Sequence, residues 1–276
     1  MINSGELNNL ISTGISGITS NPTIFEKAIS SSNSYDSQIK QLINKGQEES
    51  ADIFNHLAIE DIKNACDLLM PTYIKSEKKD GFVSIEVNPQ LAFNSEKSIE
   101  EGTELFTKIS RRNVMIKIPG TREGMNAIKT LISKGINVNV TLLFSRKMYN
   151  YAAKAYIQGL QIRKENGFSD LDNISSVASF FISRIDTKVD QLLDKKSDLR
   201  GKVAIANAKL AYQDYLKNFN SKEFKDLSSF GANVQKLLWA STSVKDPALR
   251  DVMYVENLIG KNTVNTLPLD TIFSLI

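Results

Sequence analysis

The chain has 276 residues, 41% hydrophobic and 24% charged, with a formal net charge of +3. That is enough chain to bury a sizeable core, and one large domain spanning 1–276 is the default expectation. No apolar stretch approaches the roughly 20 residues that a membrane-spanning helix needs, and the N-terminus shows no secretory pattern.

The single cysteine, Cys66, has no intramolecular disulfide partner, so a reducing, cytoplasmic setting is expected. The positive surplus is spread along the chain. Nucleic-acid binding normally shows a basic stripe with interleaved aromatics, so nucleic acid is not an expected partner, whereas a small anionic substrate suits the charge. The most basic stretch, Lys75 to Lys79, is interrupted by Glu77 and followed by Asp80, and reads as a solvated face. One histidine, His56, lies in a helical pattern and cannot build a histidine-based triad or a multi-histidine metal site.

In chain order, the first seventeen residues predict a helix with Ser4 as N-cap and apolar Leu7, Leu10 and Ile11, running into a strand, GITS, near Ile18. Next come the strand VSIEV at 83–87, the helix EKSIEEGTELFTKIS from Glu96, the strand VMIKI at 114–118 and the helix REGMNAIKTLISKG from Arg122. The strand NVNVTLLF at 137–144 precedes a long helix from Ser145. VASFFIS at 177–183, KLLWAS at 236–241 and TVNT at 263–266 complete the strand series.

Such alternation predicts an α/β fold with a parallel sheet, either doubly wound or a (β/α)8 TIM barrel. Central strands of a doubly wound sheet are apolar on both faces, yet here Ser84, Glu86 and Asn88 alternate, as do Asn137, Asn139 and Thr141. No GxGxxG or GxxxxGKS phosphate loop is present. The barrel is therefore favoured, although seven strand candidates are found where a closed barrel has eight. The expectation is an incomplete barrel, with its first strand lying before residue 1 and too few residues after TVNT for a last helix.

Lys117, within VMIKIP, stands at the carboxyl end of a strand, where barrel active sites gather. Burial disfavours the charged form of a lysine and so favours the amine that attacks carbonyls. A lysine merely solvated or ion-paired at the strand's end is the competing reading. Glu86 holds the equivalent place on the preceding strand, as a proton shuttle or a buried counterion. Asn139 and Thr141 share a face, offering an amide and a hydroxyl to the same cavity.

These residues resemble those of a known family. GITSNPTIFEKAI at 17–29 is similar to the transaldolase signature, and VMIKIPGTREGMNAI resembles the segment bearing that family's Schiff-base lysine. The resemblance continues through FVSIEVNPQLA, GINVNVTLLFS, VASFFISRID and LWASTSVKDP, in the order expected of the longer bacterial members. It implies Lys117 as the Schiff-base lysine, Glu86 as an acid working through a water, and Thr141 as the hydroxyl that places that water. It implies Asn21 and Asn139 as ligands of the three-carbon unit, Ser179 and Arg184 as contacts to the substrate and its phosphate, and Ser241 in the corresponding loop of a later strand.

The implied reaction moves a dihydroxyacetone unit between sugar phosphates, with no metal and no organic cofactor. The family often has alanine in place of Gly120, a change expected to matter little. The family's first-strand aspartate has no counterpart, and Glu6, in the following helix, is not assigned its role. A downstream start site, a gene fragment and a degraded, non-catalytic protein are the explanations open. A fructose 6-phosphate aldolase and a non-catalytic sugar-phosphate-binding remnant are the functional alternatives.

Overall fold

The computed structural model describes residues 5–47, 49–169 and 171–275. Ser4, expected as a helix cap, lies outside them. The elements begin with α1 (Glu6–Ser12), β1 (Ile18–Thr19), α2 (Pro22–Ser30), α3 (Asp36–Asn44), α4 (Ser50–Lys75), β2 (Val83–Glu86), α5 (Ser95–Ile109) and β3 (Val114–Pro119). They continue with α6 (Arg122–Ser133), β4 (Val138–Leu143), α7 (Arg146–Glu165), β5 (Ser176–Phe181), α8 (Ser183–Val189), α9 (Val203–Phe219) and α10 (Lys222–Ser228). Last are β6 (Lys236–Ala240), α11 (Met253–Leu258), β7 (Thr263–Asn265) and α12 (Leu269–Phe273).

The strands follow one another in chain order, and the described pairs are parallel. This is the expected α/β class, with seven of the eight strands of a (β/α)8 barrel among the described residues. Among them, no helix is long and apolar enough to cross a membrane.

The chain divides into two compact units. One comprises Met1–Asn88 and Glu100–Lys117, the other Pro89–Ile99 and Ile118–Ile276. In the first unit the opening helix is shorter than its apolar pattern suggested. It stops at Ser12 because Gly14, at φ 107°, turns the chain left-handed. The Ile15 N–H then donates to the Leu10 carbonyl and the Gly14 N–H to that of Ile11, a Schellman closure.

α4 buries Leu57, Ala58, Ile62, Ala65, Cys66, Leu69 and Tyr73, one stripe at helical spacing, while His56 is exposed. Just before β3, the buried Asn113 donates through Nδ2 to the carbonyls of Cys66 and Gly81, both at 2.9 Å. One side chain thus ties α4, the approach to β2 and the start of β3 together.

The second unit is built around β5 and β6, where Phe180 and Trp239 sit opposite each other in register. Their rings meet edge to face at 6.3 Å, and Tyr149 of α7 meets Phe180 at 6.5 Å. Alternation sends Phe180 to the helix-facing side and Ser179 to the other. At Gly159, α7 passes so close to α6 that a β-carbon would lie 2.7 Å from the Lys129 carbonyl oxygen.

VASFFIS leaves the strand after Phe181, and α8 begins at Ser183. Asp186 fixes α8. Its carboxylate is 2% exposed, accepts the Ala204 N–H at the start of α9 at 2.7 Å, and accepts the Tyr254 hydroxyl of α11 at 2.8 Å. Burial holds this carboxyl above its ordinary range, against the lowering effect of those two hydrogen bonds. The folded state therefore binds this proton more tightly than the unfolded chain, so the contribution to stability falls as pH rises from about 4 through the raised value. Urea unfolding should show the wild type losing stability relative to Asp186→Asn over that window. Asp186→Ala should cost about 2–3 kcal/mol at neutral pH, because it orphans a buried N–H and a hydroxyl.

Candidate active site

β2 and β3 pair in parallel with Glu86 directly opposite Lys117. Parallel neighbours in register share a face, so the two side chains project to the same side at the same height. Lys117 Nζ donates to Glu86 Oε2 at 2.9 Å and to the Ser20 carbonyl at 2.9 Å. Both side chains are about 10% exposed. An ammonium group and a carboxylate removed from water are tolerated only when paired, and this pair has a backbone acceptor besides. The contact is direct. Val87 N–H donates to the Lys117 carbonyl and Asn88 N–H to Glu101 Oε1 of α5, which continues the backbone tie past the end of β2.

Ser20 leads into the ITSNP turn. Asn21 caps α2, its Oδ1 accepting the Ile24 N–H at 2.9 Å, and Pro22 takes the first helical position, which lacks an N–H partner in any case. Capping fixes the amide's orientation and leaves Nδ2 as its donor. These residues form one group within the first unit. Glu6 is exposed on α1.

The second unit holds the other group. Asn139 and Thr141 of β4 are both buried, and Ser179 Oγ of β5 donates to Asn139 Oδ1 at 2.7 Å. Asn137, expected to line the same face, accepts the Ser175 N–H through Oδ1 and serves the strand entrance instead. Beyond Val140 the β4–β5 register shifts, so that Val140 faces Ala178 but Leu143 faces Phe180. The extra residue is Leu142, exposed and at φ 60°. This bulge leaves Thr141 with Asn139 while returning Leu143 to the helix-facing core.

At the end of β6, Ser241 is also left-handed, at φ 56°. The Ile182 and Ser183 N–H groups donate to the Ala240 and Ser241 carbonyls, both at 2.9 Å. Arg184 is exposed, with its guanidinium 5.1 Å over the Phe181 ring, and Phe181 in turn lies 5.1 Å from Phe144. Gly120 is tighter than its expected interchangeability with alanine suggests. A β-carbon there would lie 2.5 Å from Leu143 Cδ2 and 3.0 Å from the Thr141 carbonyl, so alanine requires buried Leu143 to move.

The model of the transaldolase/fructose-6-phosphate aldolase family matches residues 1–276. The chain belongs to that family. Among transaldolase relatives, the protein of Trichodesmium erythraeum is 51% identical over 99% of this chain and 75% of its own length. "Transaldolase 2" of Nostoc punctiforme is 48% identical over 99% and 75%, and the transaldolase of Mycobacterium tuberculosis 44% over 98% and 74%.

Sequence reasoning missed two neighbours of the candidate residues. The Ser20 carbonyl, which accepts from Lys117, is a backbone group without a side-chain signal. Ser183, whose N–H donates to the Ser241 carbonyl, is hidden as the last letter of a strand pattern. The ion pair itself is directly testable. Lys117→Met and Glu86→Leu should each lower stability by about 3 kcal/mol, since each strands a buried charge. The double variant should lose clearly less than the sum. Strict additivity in urea unfolding would show that the two groups are not coupled.

Proposed function

We propose that this transaldolase works by covalent catalysis on Lys117, transferring a dihydroxyacetone unit from sedoheptulose 7-phosphate or fructose 6-phosphate to an aldose phosphate in the pentose phosphate pathway. The observation that carries this is the buried lysine whose amine has one carboxylate and one carbonyl as partners at the end of a parallel strand. An ammonium ion cannot attack a ketone, and Glu86 is placed to accept its proton. The neutral Nζ adds to the ketone carbon, a hydroxyl leaves as water after protonation, and a protonated imine remains.

That imine nitrogen retains a single N–H. Of the two acceptors it had as an ammonium group, Glu86 and the Ser20 carbonyl, one must be released. Glu86 is the one with chemistry to do, moving protons at the departing hydroxyl and at the hydroxyl beside the bond being cleaved, and the resemblance to the family gives Thr141 the placing of the water through which it acts. The iminium takes up the electron pair of the broken carbon–carbon bond as the hydroxyl beside that bond gives its proton to Glu86 and becomes the aldehyde of the departing aldose phosphate, and the three-carbon carbanion stays on Lys117. Addition to the acceptor aldehyde and hydrolysis of the imine return the amine.

Asn21, Asn139 and Ser179 are the polar groups we assign to the hydroxyls of the bound sugar, and Arg184 and Ser241 to its phosphate. Guanidinium and hydroxyl groups are suited to anionic oxygens. We read the whole of 1–276 as one barrel domain, supported by β3, whose first residues belong to one unit and whose last belong to the other. A cytoplasmic setting is part of the same proposal, supported by the lone cysteine.

Borohydride reduction in the presence of fructose 6-phosphate, read by intact mass and peptide mapping, should place a three-carbon adduct on Lys117. Lys117→Met should abolish it, and Glu86→Gln should slow transfer about 10²–10⁴-fold. A folded wild-type chain without adduct would overturn the proposal. Free dihydroxyacetone released at the same rate with and without erythrose 4-phosphate would point to the family's aldolase activity.

A further inference from the structure

Ser183 takes no part in the reaction described above, yet its hydroxyl is 3.0 Å from Ser241 Oγ and its backbone N–H donates to the Ser241 carbonyl. It is 1% exposed, so it is closed to any ligand, whereas Ser241 is more open. Ser241 adopts a left-handed backbone that disfavours a non-glycine residue, and the two backbone bonds from Ile182 and Ser183 hold it there.

We propose that Ser183 is a positioning residue that sets the direction of the Ser241 hydroxyl toward the substrate phosphate. The proposal rests on the reading of Ser241 as a phosphate contact. A serine hydroxyl is a rotor with one proton and two lone pairs, and the pair as it stands can be bonded in either direction. Phosphate removes that freedom. A phosphate dianion only accepts, so Ser241 must give its proton to the ligand, and its oxygen is then free to accept from Ser183.

The bound state is therefore a one-way relay from the Ser183 hydroxyl to Ser241 and on to the phosphate oxygen, in which each bond polarises the next. Ser183 supplies the buried end of the relay, and its fixed position selects one rotamer of a side chain that would otherwise rotate. Because the effect acts on ground-state anion binding and not on bond-making, it should appear in KM rather than kcat.

The test uses the full chain with Ser183→Ala, Ser241→Ala and the double variant, varying fructose 6-phosphate at fixed erythrose 4-phosphate. Inhibition by inorganic phosphate and thermal melting are measured alongside. Ser183→Ala should raise KM and the phosphate inhibition constant about three- to tenfold, the range of one hydrogen bond, with kcat within about twofold. In the Ser241→Ala background it should add nothing further. Ser183→Cys, which is somewhat larger and only a weak donor, should follow the alanine variant.

If Ser241→Ala raises KM while Ser183→Ala and Ser183→Cys leave it unchanged, or act additively with it, the positioning role is overturned. A lowered melting temperature with unchanged KM also overturns it, since it would mark Ser183 as structural. If Ser241→Ala alone leaves KM and phosphate inhibition unchanged, the phosphate reading of Ser241 is what has failed, and the relay fails with it.

Discussion

The in-register pairing of Glu86 with Lys117 is the constraint on which the first unit's geometry depends. A slip of one residue between β2 and β3 would turn one of the two charges to the opposite face, leaving both uncompensated away from water. The apolar positions around them, Val83 and Ile85 on β2 with Val114 and Ile116 on β3, are buried and hold the same register from the other face. Asn113 secures it at the strand entrance by binding the carbonyls of α4 and of the turn before β2. The charged pair and the carbonyl of Ser20 are consequently placed by packing and backbone bonds, before any ligand arrives.

In the second unit the sheet ends are where regularity is given up. Leu142 and Ser241 both take left-handed backbone conformations, which cost a non-glycine residue about 1–2 kcal/mol each. The interior of the same strands is well packed, with Trp239, Phe180 and Tyr149 fully buried in edge-to-face contact. That core keeps β4, β5 and β6 in place while their last residues depart from strand geometry. The departure at Leu142 separates the fates of its neighbours, one polar and one apolar, on a strand whose plain alternation would have put both on one face.

How far the sequence could be read follows from contrast. Strands such as VMIKI and NVNVTLLF stand out because β-branched runs lie between polar, helix-forming segments, and the observed strands cover the same residues to within a few positions. Lys117 was conspicuous as a charge in an apolar run. Helix α9 offered little contrast, because much of its buried face is alanine, at Ala204, Ala208 and Ala211, and small side chains give a weak apolar signal. The early stop of α1 depended on Gly14, whose turn outweighed an apolar pattern read as continuing. The bulge at Leu142, the anchoring of α8 by Asp186 and the neighbourhood of Ser183 arise from contacts between distant segments, which no local window contains.

The burial of Cys66 has a practical consequence. Its thiol is 0% exposed on α4, under the carbonyl that Asn113 grips, and burial pushes its pKa up to about 12. A thiolate is the reactive form, so alkylating reagents meet neither an accessible nor an ionised sulfur in the native protein. Because the sequence contains only this cysteine, the rate at which mass is added by such a reagent reports how often α4 lifts away from the strands it covers. The molecule carries a native-state clock for the opening of its own first unit, readable without introducing any label.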